Sequence, residues 1–104
     1  MRYQEERTIY MIKPEYLLED VVRALRKLGF SPTLEELGGG WLIEASKSGR
    51  HVKAWLKGER RVLPGLEVFG SVPVSRLHVE VEGPEGFVRE LKRRLEIELL
   101  RCLG

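Results

Sequence analysis

Residues 38–58 read GGGWLIEASKSGRHVKAWLKG, and this stretch decides the fold. Ser48 and Gly49 separate two segments in which apolar and polar residues alternate, which is typical of a β-hairpin. The register that this turn sets brings apolar pairs together on one face: Trp41 with Leu56, Ile43 with Ala54, and Ala45 with Val52. The other face pairs Leu42 with Trp55, Glu44 with Lys53, and Ser46 with His51. We therefore predict that the first face covers a hydrophobic core and that the second faces solvent or a partner.

A strand and a helix are predicted before the hairpin. Residues 7–13, RTIYMIK, are rich in β-branched and aromatic types and carry apolar residues on both faces, which favours a central strand. Pro14 suits the first position of a helix in which leucines and valines recur at steps of three and four residues. Gly29 is expected to end this helix, and Phe30 can then contact Leu25 as in a Schellman cap.

Further segments predict additional strands and a second helix. Residues 33–37, TLEEL, favour an edge strand, and the alternative is a short helix that begins at residues 31–32. The Pro-Gly pair at 64–65 suits the centre of a type II turn, after which residues 66–70, LEVFG, can form another short strand. Residues 76–83, RLHVEVEG, alternate as in a strand with one wet face. A last helix is indicated by apolar residues at four-residue spacing: Phe87, Leu91, Leu95, Leu99 and Cys102.

Together these elements predict one α+β domain spanning residues 1–104, in the order β-α-β-β-β-β-α. The most economical arrangement places both helices on the core face of a mostly antiparallel sheet of four to five strands. We therefore expect a two-layer sandwich in the style of a ferredoxin-like plait. Folds of this kind have many unrelated activities, so the fold alone predicts no function.

Composition excludes several classes of protein. The chain of 104 residues is 42% hydrophobic and 33% charged, as expected of one soluble globular domain. No apolar run approaches the ~20 residues that span a bilayer, and the start lacks the apolar stretch of a signal peptide, so we expect no membrane partner and a cytoplasmic location. One cysteine and two distant histidines offer neither a disulfide nor a zinc-binding spacing, so we expect no metal and no cofactor. The lack of asparagine and the single glutamine, beside many Glu, Lys and Arg, favour a thermophilic source.

Positive charge is concentrated in one segment. The chain has a net charge of +2, whereas residues 47–61 contain six basic residues and one acid. Because side chains alternate along a strand, one set of residues is predicted to share the outer face of the sheet: His51, Lys53, Trp55 and Lys57. An aromatic ring between lysines can hold a single-stranded nucleic acid, since bases stack on the ring and phosphates meet the ammonium groups.

Three further basic residues would extend this track: Arg50, Arg60 and Arg61. Two cross-strand neighbours weaken the nucleic-acid hypothesis. Glu44 faces Lys53 and would neutralise part of its charge, while Leu42 gives Trp55 an ordinary hydrophobic neighbour. The alternative is a basic hairpin that is either solvated or covered by protein.

Apolar residues outside the predicted core favour a homo-oligomer. Leu42 and Trp55 on the outer face, joined by Tyr10 and Phe69, would form a patch too large to stay exposed to water. The last helix is apolar on more than one side near its end, where a second copy could cover Ile97, Leu100 and Leu103.

A catalytic site is less well supported. His51 and His78 are the natural candidates for acid or base chemistry, but Ser46 opposite His51 has neither a strained turn nor oxyanion donors beside it. The GGG at residues 38–40 enters a strand, whereas phosphate-binding loops lead into a helix. We therefore assign no catalytic residue. The sequence favours a non-catalytic binding or assembly module, then a nucleic-acid-binding protein, and last a small enzyme with a histidine at a subunit interface.

Overall fold

The computed structural model describes residues 1–100, with side chains for residues 1–99. The elements follow in this order: β1 (Arg2–Tyr10), α1 (Pro14–Lys27), β2 (Thr33–Leu37), β3 (Gly40–Lys47), β4 (Arg50–Val62), a short 3-10 helix (Glu67–Phe69), β5 (Ser71–Glu82) and α2 (Glu85–Leu100). All five strands form one antiparallel sheet in the order β1-β5-β4-β3-β2. The α+β class, the antiparallel sheet and the two helices are therefore confirmed.

The ferredoxin-like arrangement is not confirmed, because the strand order differs from that of such a plait. Strands β2 to β5 follow one another through short connections and pair as a continuous meander. Strand β1 then pairs with the free side of β5, so that the strands before and after α1 lie at opposite edges of the sheet. Strand β2 is the edge strand that residues 33–37 predict, and the alternative short helix is wrong.

The central hairpin has the predicted register. Its six predicted cross-strand pairs are all present between β3 and β4. Ser48 and Gly49 form the two-residue turn with φ of 49° and 77°, the left-handed conformations that a type I′ turn requires. Ile43, Ala54 and Leu56 are buried, as expected for the core face.

Helix α1 begins and ends as predicted. Pro14 occupies its first position. At its end, the N–H groups of Gly29 and Phe30 donate to the carbonyl oxygens of Arg26 and Leu25, at 3.0 Å each, which is the Schellman pattern. Phe30 and Leu25 are both buried in the core, so the cap also closes one end of the hydrophobic layer.

Both helices pack on the same face of the sheet. The core joins residues of α1 and α2 with the inward residues of β3, β4 and β5: Leu17, Val21, Ala24, Leu25, Ile43, Ala45, Val52, Ala54, Leu56, Leu77, Val79, Val81, Phe87, Val88, Leu91, Leu95 and Leu99. The opposite face of the sheet carries no layer of described secondary structure. It is called the outer face below.

Strand β1 differs from the prediction in both position and length. It covers residues 2–10 instead of 7–13 and lies at an edge rather than in the centre. Met11 ends it, because its φ of 67° breaks the extended backbone and turns the chain toward α1. Apolar residues on both sides of residues 7–13 therefore reflect this turn, not a buried central strand.

The connection from β4 to β5 also differs. Pro64 and Gly65 form the predicted turn, with a 2.9 Å hydrogen bond from Leu66 N to Leu63 O and a φ of 83° at Gly65. The predicted short strand at 66–70 is wrong. No neighbouring strand is available to pair with this segment, and residues 67–69 form the 3-10 helix instead. Strand β5 then begins at Ser71.

Strands β4 and β5 continue beyond their neighbours. Strand β3 pairs with β4 only as far as Lys57, and β1 pairs with β5 only from Val74 onward. Residues 59–73 therefore form a two-stranded projection, which is called the arm below. The Cα radius of gyration is 14.4 Å, above the ~13 Å typical of compact domains of this length, and the longest dimension is 49 Å.

Candidate functional site

The outer face carries five of the seven basic-hairpin residues proposed for binding: His51, Lys53, Trp55, Lys57 and Arg61. Arg50 and Arg60 lie on the helix side of the sheet. The guanidinium carbon of Arg50 is 5.6 Å from the Phe87 ring centroid, and Arg60 donates to the Ser71 Oγ and carbonyl oxygen at 3.1 and 2.7 Å. Arg61 is on the outer face, where it forms an ion pair with Glu59. The structure therefore does not bring the seven residues into one basic track.

Trp55 lies at the centre of the outer face and is half-buried. The Lys53 Nζ is 5.2 Å from the Trp55 ring centroid, a cation–π distance. On the other side, the His78 ring is tilted by 57° with its centroid 5.2 Å away, while Leu42 is the cross-strand partner on β3. The indole thus has neighbours along its own strand and on both adjacent strands, and only part of its surface remains open to a ligand.

Most charges on the outer face are balanced across the strands. Lys53 lies directly between Glu44 on β3 and Glu80 on β5. The exception is the next basic row, where Lys57 lies opposite Arg76. Both are exposed, and neither forms an ion pair with a carboxylate in the described part of the chain. Like charges in directly opposite positions repel each other, so this row would be stabilised by an anion.

The histidines occupy different environments. His51 is exposed and lies opposite Ser46 in a polar depression of about 460 Å³, but no hydrogen bond joins the two side chains. The Nε2 of His78 is 3.4 Å from the Glu80 Oε1.

Within residues 1–99, no group of three His, Cys, Asp or Glu side chains is placed to hold a metal ion. Neither helix in the described chain is long and apolar enough to cross a membrane.

The arm tip, residues 62–70, is the most exposed apolar segment of the described chain. Val62, Val68 and Phe69 are 58%, 88% and 62% exposed. Glu67 is its single charged residue. Hydrogen bonds from the backbone N–H groups of Glu67 itself and of Gly65 lower the pKa of the Glu67 carboxyl, so the tip carries one fixed negative charge at neutral pH.

A cleft of about 510 Å³ opens where the arm leaves the sheet. The arm-base cleft, as it is called below, is lined by Met11, Ile12, Lys13, Tyr16, Glu19, Asp20, Arg23 and Pro73. A 2.8 Å hydrogen bond from Met11 N to Pro73 O joins the end of β1 to the base of the arm. Met11 and Tyr16 are about half exposed, so the cleft presents apolar surface to solvent.

The residues predicted for an oligomer interface do not form one patch. Tyr10 and Phe69 are exposed toward the arm, whereas Leu42 and Trp55 are half-buried near the centre of the sheet. The charged row of Lys57 and Arg76 separates the two groups along the strands. Ile97 is partly exposed on α2. The side chains of Leu100, Cys102 and Leu103 lie outside the described residues.

Sequence reasoning missed the arm-base cleft and most of the arm tip. The available signal was VLPGLEVFG at residues 62–70, in which one charge interrupts eight uncharged residues. The prediction of a short strand at residues 66–70 did not indicate an exposed tip, whereas these residues contain the 3-10 helix and Val68 is almost fully exposed. In comparisons with known proteins, no family model matches this chain, and no curated protein has significant sequence similarity to it.

Proposed function

We propose that this chain is a non-catalytic assembly module that forms a homo-oligomer through the arm. The observation that carries the proposal is the exposure of Val62, Val68 and Phe69 on a projecting hairpin. Exposed apolar surface of this kind marks interaction sites when it is contiguous. The proposed surface thus lies at the end of the sheet, whereas sequence reasoning placed it around Trp55.

The architecture of the arm supports the same conclusion. An isolated two-stranded hairpin is marginally stable in water, and Val72, at 6% exposure, is the one apolar side chain that the arm buries. The arm nevertheless keeps its ladder as far as the pair Val62 and Ser71. A partner that covers the tip would remove apolar surface from water and stabilise this ladder, with a gain of ~25 cal/mol per Å² of apolar surface buried.

Acidic substitutions in the arm tip test this proposal. We expect a Val68→Glu/Phe69→Glu variant to weaken self-association at least ~100-fold, since hot-spot residues at an interface each contribute 2 kcal/mol or more. Light scattering coupled to size exclusion, over a range of protein concentrations, measures the mass. The unaltered chain should have the mass of an oligomer and the variant that of a folded monomer.

Two control variants locate the surface. Leu34→Glu introduces the same charge at another half-exposed apolar position, on β2, and should leave the mass unchanged. Trp55→Glu tests the centre of the outer face and should also leave it unchanged. A monomeric unaltered chain would overturn the proposal, whereas dissociation by Trp55→Glu alone would move the interface to the outer face.

A second candidate function is binding of single-stranded nucleic acid on the outer face. The specific observation is the pair of Lys57 and Arg76, which lie opposite each other without an acidic partner in the described chain. Trp55 precedes Lys57 on the same face of β4, so one base could stack on the indole while its phosphate meets the basic pair. The acids at Glu44, Glu59 and Glu80 limit this site to a short segment of the ligand.

Charge reversal of the basic pair tests the second candidate. We expect Lys57→Glu/Arg76→Glu to weaken binding of a labelled single-stranded RNA about tenfold or more and to reduce the salt dependence by one to two phosphate contacts. Fluorescence anisotropy at about 50 and about 200 mM salt measures both effects. The matched control is Arg89→Glu/Arg93→Glu, which changes the net charge equally on the exposed side of α2. Equal loss in both variants, or no binding by the unaltered chain, would exclude this site.

A further inference from the structure

We propose that the arm-base cleft binds the arm tip of a second copy of this chain, so that two copies exchange arms about a twofold axis. This inference rests on the proposed function and names the two surfaces that would form the oligomer. The tip offers Val68 and Phe69, and the cleft offers Met11 and Tyr16 as apolar walls. Each copy would supply one tip and one cleft, which gives two identical contacts.

Charge complementarity selects this occupant. Glu67 on the tip forms no ion pair within the described chain, and the exposed Lys13 in the cleft wall has no described carboxylate partner. Lys13 immediately precedes α1, where the helix N-terminus favours negative charge. A tip carboxylate at this point would therefore meet both the ammonium group and the positive end of the helix.

The other charges in the cleft orient the tip. Asp20 and Arg23 form an ion pair, in which the Arg23 Nη1 lies 2.7 Å from the Asp20 Oδ1. Glu19 lies six residues after Lys13, about 9 Å farther along the helix axis. Glu67 is thus favoured at the Lys13 end of the cleft and repelled at the Glu19 end.

Arm geometry makes the contact intermolecular. Pro73 lines the cleft at the base of the arm, and the tip begins three residues away, a distance of about 10 Å along an extended strand. The paired strands hold a tip away from the cleft of its own copy. When the arms of two copies lie side by side in opposite directions, each tip lies beside the cleft of the other copy. This follows because the distance between tip and cleft is the same in both copies.

The exposed apolar area fits a dimer of ordinary size. Five large side chains lie on the tip or line the cleft and are 52% to 88% exposed: Met11, Tyr16, Val62, Val68 and Phe69. Together they expose on the order of 600 Å² per copy, compared with ~800 Å² per partner in a standard interface. The surrounding polar rim can supply the difference.

A charge exchange tests the pairing of Glu67 with Lys13. Glu67→Lys and Lys13→Glu should each raise the dimer dissociation constant about tenfold, and the double variant should restore it to within about threefold. Glu67→Gln removes the charge and keeps an acceptor for the Gly65 N–H, so it should have a smaller effect in the same direction. Glu35→Lys, at an exposed position on β2, is the control and should have none. Sedimentation equilibrium provides the dissociation constants.

Disulfide trapping tests the contact directly. In a Cys102→Ser background, oxidation of a mixture of Phe69→Cys and Tyr16→Cys chains should give a crosslinked pair that neither chain gives alone. A mixture of Phe69→Cys with Leu34→Cys should not crosslink. If the chain is a dimer but gives neither the disulfide crosslink nor the restored affinity of the double variant, the proposed arm exchange is overturned. The proposed homo-oligomer is not affected by that result. A monomeric chain would overturn both proposals.

Discussion

Replacing Gly40 with alanine is expected to lower the free energy of unfolding by about 2–3 kcal/mol, the upper part of the range for overpacked sites. A Cβ at this position would lie 2.1 Å from the Leu56 carbonyl oxygen and 3.0 Å from the Lys57 Cα. Both are backbone atoms of β4, so no side-chain rotation can relieve the clash. The start of β3 must move away from β4, and the pairing of these two strands weakens at that end.

Thermal unfolding followed by circular dichroism measures this effect, and the expected loss corresponds to a midpoint lowered by roughly 10–20 °C. Gly38→Ala is the matched control, because its Cβ would have no atom within 4 Å and the residue has no positive φ. That variant should be unchanged or more stable by ~0.4–1 kcal/mol, since alanine restricts the unfolded chain. Equal stability of the two variants would contradict the close approach of the strands.

Local patterns predicted the central part of the fold correctly. The hairpin register follows from alternation and from a two-residue turn, which are both properties of neighbouring residues. The ends of α1 follow in the same way from Pro14 and Gly29. The need for glycine at position 40 could not be predicted, because it depends on how closely β4 approaches in space.

The place of β1 in the sheet and the structure of the arm tip were not predictable from local patterns. Residues 7–13 carry the composition of a central strand, but the meander of β2 to β5 leaves β1 only an edge. Residues 66–70 are apolar enough for a strand and yet have no strand to pair with. Both errors have the same cause: pairing partners are fixed by topology, whereas composition describes only the segment itself.

The candidate sites were predicted to the extent that they follow strand alternation. Lys53, Trp55 and Lys57 share the outer face for this reason. The same rule places Arg50 and Arg60 on the helix side, so a stricter use of alternation would have excluded them from the basic track. Residues from distant segments were missed: Arg76 faces Lys57, and Lys13 and Tyr16 meet the base of the arm. Their proximity depends on the order of the strands.

Removal of the Lys27 charge is expected to have the second large effect on stability. The Glu98 side chain on α2 is 1% exposed, and its Oε1 accepts a 2.6 Å hydrogen bond from the Lys27 Nζ on α1. Lys27→Met keeps most of the apolar stem and removes the ammonium group. The buried carboxylate then loses its 2.6 Å contact with the ammonium group, and we expect a loss of about 2–3 kcal/mol. This is below the ~3–5 kcal/mol of a fully buried pair, because Lys27 is half exposed and Arg23 still lies 3.5 Å from Glu98.

Chemical denaturation and a double-mutant cycle with Glu98→Gln measure this contribution. The amide carries no charge to bury, so Lys27→Met should cost much less in the Glu98→Gln background than in the unaltered chain. Arg89→Met is the matched control on α2, because Arg89 and its partner Glu85 are both mostly exposed. That exposed pair should contribute no more than ~0.5 kcal/mol. Equal losses for Lys27→Met and Arg89→Met would contradict this prediction. They would show that the buried Glu98 carboxylate depends on its charged partner no more than an exposed carboxylate does.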